Sequence, residues 1–141
     1  MPSFPEFPLL DDANSIRTSE ATTQYNCIAW AAGDNTRKWW PHRLGYWPPE
    51  ALMVETIAAF NAAFASLGYA PCANGDRERG WQKVALYTDA EGTPTHMARQ
   101  LEDGTWTSKL GNDIDITHTT VDALHGDAYG TCVGYLRRRH P

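Results

Sequence analysis

The chain divides by hydrophobic periodicity into a helical first part and a strand-rich second part. Between Glu50 and Leu67 the apolar residues Met53, Ile57, Phe60, Phe64 and Leu67 recur at helical spacing. Pro48 and Pro49 stand before this segment and Gly68 after it, so the pattern predicts an amphipathic helix whose stripe is core. After residue 80 the period changes. Gln82–Thr88, Thr95–Leu101 and Thr105–Leu110 read as strands, separated by turn chemistry at Asp89–Gly92 and Glu102–Gly104. A short helix is expected over Val121–Leu124 and a last strand over Tyr129–Leu136. Upstream, Thr22–Asp34 reads as a polar loop entering a short helix that Gly33 closes, with Thr22 and Thr23 both suited to cap it. The order of elements, helices and then an antiparallel meander, predicts an α+β fold with the helices packed on one face of the sheet. One domain is expected over residues 1–141, comprising an extended arm to residue 20, a helical part over 22–67 and a sheet over 81–137. Phe4, Phe7, Leu9 and Leu10 would pack the arm.

Composition narrows the class. At 141 residues, 42% hydrophobic and 21% charged, the chain has the material for one core. A net charge of −5 supplies no field for nucleic acid or an anionic membrane, so neither is an expected partner. The run Arg137-Arg138-Arg139-His140 reads as a solvated basic end. Cys27, Cys72 and Cys132 are odd in number and have no paired spacing, which predicts free thiols in a reducing, cytoplasmic setting. The N-terminus has no secretory signature and no apolar run has the length of a membrane span; export as an effector without such a signal remains compatible.

Candidate chemistry centres on Cys27, which follows Asn26 at the start of the short helix. If Thr23 is the cap, Cys27 lies about one turn inside, where free N–H groups favour a thiolate. A thiol nucleophile needs a histidine to activate it and a polar group to orient that histidine. Of the five histidines, only His96 begins a regular strand of the meander, and it is the preferred base. Its orienting partner depends on the second hairpin. A two-residue Asp103-Gly104 turn puts Thr107 and Lys109 on the face of His96. A three-residue Glu102-Asp103-Gly104 loop with a bulge at the glycine puts Ser108 there instead. Asp113 and Asp115 follow the strand, and Ser108 or Asp113 is the expected third member. Backbone N–H groups at the helix start, aided by the amide of Asn26 or Gln24, would hold an oxyanion. Trp39, Trp40 and Trp47, set among prolines, would wall the cleft.

Asn26-Cys27 entering a helix, Thr95-His96 opening a strand and the turn at Asp103-Gly104 together resemble the papain-like superfamily. That superfamily includes cell-wall amidopeptidases, transglutaminase-like enzymes and bacterial toxin domains that deamidate or cleave proteins. The likeness covers the order of elements from about residue 22 to 111. The segments YNCIAWAAGD, KVALY and WTSKLG also resemble a small bacterial family of unassigned activity. The resemblance implies a thiol-dependent amide hydrolase, deamidase or acyl transferase, of bacterial effector or toxin type. Its substrate would be a peptide, peptidoglycan or a protein side chain. One departure stands out: papain-fold toxins place Asp, Asn or Gln near the end of the strand after the His strand, where this chain reads Ser108-Lys109-Leu110-Gly111.

Two other readings compete. Asp113, Asp115, His118 and His125 form a loose cluster without metal-ligand spacing, so no metal is expected. No phosphate loop or dinucleotide fingerprint calls for a cofactor. The stronger rival is a non-catalytic interaction or immunity-type module on a degenerate papain-like scaffold, binding a protein partner. An enzyme requires a partly exposed Cys27 with its sulfur near a His96 nitrogen. A binding module predicts a buried Cys27 and a tryptophan-lined exposed patch.

Overall fold

A computed structural model describes residues 5–43 and 45–140; Phe4, expected in the packing of the arm, lies outside them. The elements are β1 (Ser15–Arg17), α1 (Cys27–Ala32), α2 (Ile57–Ala65), β2 (Ala70–Cys72), β3 (Trp81–Thr88), β4 (Pro94–Gln100), β5 (Trp106–Lys109), β6 (Asp115–His118), a 3₁₀ turn (Val121–Leu124) and β7 (Thr131–Arg139). The strands form one sheet in the order β1-β6-β5-β4-β3-β7-β2, with every neighbouring pair antiparallel. The architecture is therefore mixed α and β, mostly sheet, with two short helices.

Strand β3 lies between β4 and β7 and is buried on both faces, which is why KVALYT reads as a nearly continuous apolar run. Val84 and Leu86 join Met97, Leu136 and the helix residues Ile28, Phe60 and Phe64 in one core. Ala85 and Tyr87 face the other way, packing with Ala98, Ile116, Leu124 and Phe7. Phe7, with Leu10 at the margin, thus anchors the N-terminal arm to the face away from the helices.

The hairpin between β4 and β5 has the three-residue loop. Leu101 N–H donates to the Thr105 carbonyl at 2.7 Å and Gly104 N–H to the Leu101 carbonyl at 3.0 Å. Gly104 takes φ +90°, which the bulge requires. The resulting register, Arg99 opposite Thr107 and Gln100 opposite Trp106, places Ser108 on the face shared by Ala98 and His96.

Four expectations need correction. The helix predicted over 50–67 begins only at Ile57, because Thr56 caps it by accepting from Ala59 N–H. Upstream of the cap, the Trp47 indole N–H holds the Leu52 carbonyl, and Leu52 and Met53 are 76% and 52% exposed. The arm is not wholly extended coil, since Ser15–Arg17 adds a strand to the edge at β6. The basic end is only partly solvated: Arg137 pairs with Glu78 at 2.5 Å and Arg138 bonds Gln82 and the Leu67 carbonyl, whereas Arg139, over Trp81, and His140 are exposed. Finally, Asn26 rather than Thr23 caps α1, so Cys27 is its first residue.

Candidate active site

The ladder between β4 and β5 stops at Arg99–Thr107, whereas the β5–β6 ladder continues to Lys109–Asp115. The start of α1 packs where β4 loses its partner. Cys27 supplies a substitute: its thiol donates to the Thr95 carbonyl at 3.9 Å and takes the Met97 N–H on the other side of His96. The sulfur is therefore set against the backbone that flanks the candidate base. Only 7% of Cys27 is exposed. Burial pushes the thiol up to about 11; the N–H groups of Met97, Ile28 and Cys27 and the nearby Lys109 charge act in the opposite direction. Near neutrality Cys27 is a thiol.

His96 is completely buried. The Tyr129 ring stacks on the imidazole at 4.0 Å with an interplanar angle of 11°, and Tyr87 meets it edge-on at 5.1 Å. Nε2 lies 3.0 Å from Ser108 Oγ, Ser108 Oγ lies 2.8 Å from His118 Nε2, and His118 Nδ1 lies 2.8 Å from the Thr120 carbonyl oxygen. Three buried side chains thus form a line that ends on a backbone acceptor. Nδ1 of His96 has no hydrogen-bond partner. Burial holds both imidazoles neutral, His96 well below its ordinary range with the neighbouring His118 adding to the effect, and His118 at about 4. Cys27 and His96 share no hydrogen bond.

Of the two residues expected to orient His96, Ser108 is in place and Asp113 is not. Asp113 is exposed, its carboxylate accepts from Ile114 N–H, and its carbonyl takes Lys109 Nζ. The expected oxyanion amides are spent elsewhere. Asn26 Oδ1 accepts from Ala29 N–H at 3.1 Å and Trp39 N–H at 3.0 Å, while its Nδ2 donates to the Trp39 carbonyl at 2.7 Å. Gln24 is exposed and donates to the Asn35 carbonyl at 3.2 Å. The tryptophans do not wall an open cleft, nor do they make an exposed patch. Trp39 bonds Asp34 and packs on Phe64, Trp40 meets Phe60 edge-on, and Trp47 packs 4.9 Å from Phe60. Their prolines fold this loop over the core instead.

Reasoning from sequence missed His118 and Tyr129 as parts of this site. His118 comes from β6, a four-residue strand too short to carry a period, and Tyr129 stands just before β7. A second polar group went unseen on the helix side. Lys109 lies over the Tyr25 ring, Tyr25 Oη donates to Asp115 Oδ2 at 2.6 Å, and Asp115 Oδ1 has no partner. The loose Asp113, Asp115, His118 and His125 set does not assemble: among the described residues no three His, Cys, Asp or Glu side chains converge as metal ligands. His125 instead accepts from Cys132 N–H at 3.1 Å.

A cavity of about 150 Å³ lies beside Tyr129, lined also by Phe7, Leu110 and Gly111. Larger depressions, of about 280 and 570 Å³ around Trp81 and Gly75 and of about 250 Å³ beside Ile16 and His118, include neither Cys27 nor His96. No helix among the described residues is long and apolar enough to cross a membrane.

A family model described as a domain of unknown function (DUF7689) matches residues 16–137, and the chain belongs to that family. No curated protein and no solved structure matches it.

Proposed function

We propose that this DUF7689 protein is a thiol-dependent amide hydrolase, deamidase or acyl transferase on a papain-like scaffold, with Cys27 as nucleophile and His96 as general base. The observation that carries the reading is the partnerless Nδ1 of His96, a buried nitrogen on the residue whose flanking backbone groups touch the Cys27 sulfur. An orphaned buried polar atom is costly, and it persists where chemistry uses it. In the proposed step Nδ1 takes the thiol proton and the sulfur bonds to a substrate carbonyl carbon. The carbonyl C–N bond then breaks, and imidazolium returns the proton to the departing amine. Water, or an acceptor nucleophile, releases the acyl group and restores the thiol. Backbone N–H groups of Cys27 and Ile28 are the candidate oxyanion donors. Turnover requires Tyr129 to leave the imidazole, since its ring covers the base and the thiol is neutral while sealed.

The sealed, protonated thiol favours a second reading, a non-catalytic interaction or immunity-type module in which Cys27 and His96 only pack. An activated ester separates the two. With p-nitrophenyl acetate, the enzyme reading expects a nitrophenolate burst and an acetyl adduct on Cys27 in the intact mass, absent from Cys27→Ser and slowed in His96→Leu. Absence of an adduct on Cys27 under conditions that acylate a free cysteine peptide supports the binding module.

A further inference from the structure

We propose that the Thr120 carbonyl, acting through His118 and Ser108, fixes His96 in the tautomer with its proton on Nε2 and a bare lone pair on Nδ1, which makes His118 a positioning residue. The functional consequence rests on the Cys27–His96 reading above; the proton assignment does not.

A carbonyl oxygen only accepts, so His118 Nδ1, 2.8 Å from the Thr120 oxygen, must be the donor. A fully buried, neutral imidazole carries one proton, and with that proton on Nδ1 its Nε2 is an acceptor. Ser108 Oγ lies 2.8 Å from that acceptor and has a single proton to give, so it donates to His118. The same oxygen then meets His96 Nε2, 3.0 Å away, with lone pairs alone, and His96 must donate from Nε2. His96 is neutral too, so Nδ1 is left bare. The opposite tautomer would set the Nε2 lone pair against the Ser108 lone pairs inside the core.

The consequence is directional. A neutral relay of hydroxyl and imidazole selects which nitrogen of His96 is basic, without a carboxylate. The Ser108 hydroxyl inherits its orientation from the Thr120 carbonyl. It also gives a use to His118, which no other contact in the site explains. The ring planes are held by packing, His96 between Tyr129 and the edge of Tyr87.

Two-bond proton–nitrogen correlations on protein with ¹⁵N-labelled histidine test the assignment, with the His96 signals identified by their loss in His96→Leu. The expected wild-type pattern is pyrrole-like Nε2 and pyridine-like Nδ1 for His96, with the reverse for His118. A proton on Nδ1 of His96 in the wild-type protein overturns the proposal without further variants. His118→Leu removes the acceptor, freeing Ser108 to donate to His96 Nε2 and moving the His96 proton toward Nδ1. His118→Gln offers an amide oxygen to Ser108 and should retain the wild-type pattern. If His118→Leu does not fold, His118→Phe takes its place; an unchanged His96 tautomer in whichever variant folds also overturns the proposal. With Tyr129→Ala, Cys72→Ser and Cys132→Ser added to each protein, Cys27 alkylation near neutrality should fall about tenfold in His118→Leu and recover in His118→Gln, the low end of what losing a histidine's orienting partner costs at metal sites. The expected tautomers in wild type and variants, with alkylation indifferent to His96→Leu, would leave the relay standing and remove the enzyme reading. A His96 proton on Nδ1 in the wild-type protein, with Cys27 alkylation still dependent on His96, would do the reverse.

Discussion

Around Asn26 and around His96 the protein treats buried polar atoms in opposite ways. The Asn26 amide makes three hydrogen bonds, capping α1 and pinning Trp39 from both its N–H and its carbonyl. Asp34 beside it accepts from Thr36, Arg37 and the Trp39 indole. Across the start of α1, His96 Nδ1 and, on β6, Asp115 Oδ1 are buried with no partner. The third such atom among the described residues, Tyr69 Oη, belongs to a ring that the Arg138 guanidinium covers at 4.7 Å. The first region spends its polar groups on holding the chain; the second leaves two uncommitted within the elements that surround Cys27. Polar atoms left unpaired where pairing was possible mark the place where function outranks stability.

The largest effect is expected at the shared core: Phe60→Ala, which strips the Trp40 and Trp47 rings of their support, should cost about 4 kcal/mol in urea unfolding. Acid comes next, and it separates the two regions by pH. His118 is held at about 4 and His96 is also depressed, so the native state resists protonation that the unfolded chain accepts near 6.5. Their stability is fully present above about pH 6.5 and is lost as pH falls toward 4, about 3 kcal/mol from His118 alone. Burial raises the Asp34 carboxyl, but its hydrogen bonds from Thr36, Trp39 and Arg37 outweigh that and hold it well below the usual range. Its contribution is therefore lost only below about pH 4, after the histidines have acted. Urea midpoints measured from pH 7.5 to 3 should fall in two stages, the first absent from a His96→Leu, His118→Leu double variant.

Asn26→Ala should cost about 2 kcal/mol, since a cap and both pins to Trp39 go together. The smallest effect sharpens the contrast most. His96→Leu gives up the hydrogen bond from Nε2 to Ser108 but also removes an orphaned nitrogen and leaves Ser108 bonded to His118, so the two changes offset and stability should change by less than about 1 kcal/mol. A loss as large as that of Asn26→Ala would mean that His96 is a structural residue like its counterpart.

What could be read from the chain follows the range of each signal. The meander strands, the 3₁₀ turn at Val121 and the stop at Gly33 depend on neighbouring residues, and they stand where local chemistry puts them. The Glu102–Gly104 loop supported two registers, and the bulge at Gly104 decides between them, carrying Ser108 to the face of His96. β1 and β2 have three residues each and β6 four, too few to show a period, and they exist because a neighbouring edge offers hydrogen bonds. The helix start failed for a related reason: Leu52 and Met53 continue an apolar pattern but face outward, and Thr56 supplies the cap. At the site, Cys27, His96 and Ser108 were recognisable by residue type, whereas the places of His118 and Tyr129 depend on β6 and β7 folding back. The expected use of Asn26 and the tryptophans erred because Asn26 is taken up by the α1 cap and by Trp39, while Trp39 and Trp47 bond Asp34 and Leu52, and Trp40 packs on Phe60.

As proposed, Cys27 and His96 act as a pair once Tyr129 is displaced. The pH profile of Cys27 alkylation by iodoacetamide tests it most directly, in Tyr129→Ala protein carrying Cys72→Ser and Cys132→Ser, with His96 present or replaced by Leu. Opening should speed alkylation over the protein that retains Tyr129. It should also bring the apparent pKa below the ~8.5 of a free cysteine, and His96→Leu should return it toward that value. A Cys27 that titrates like a free thiol in both proteins, indifferent to His96, would contradict the claim.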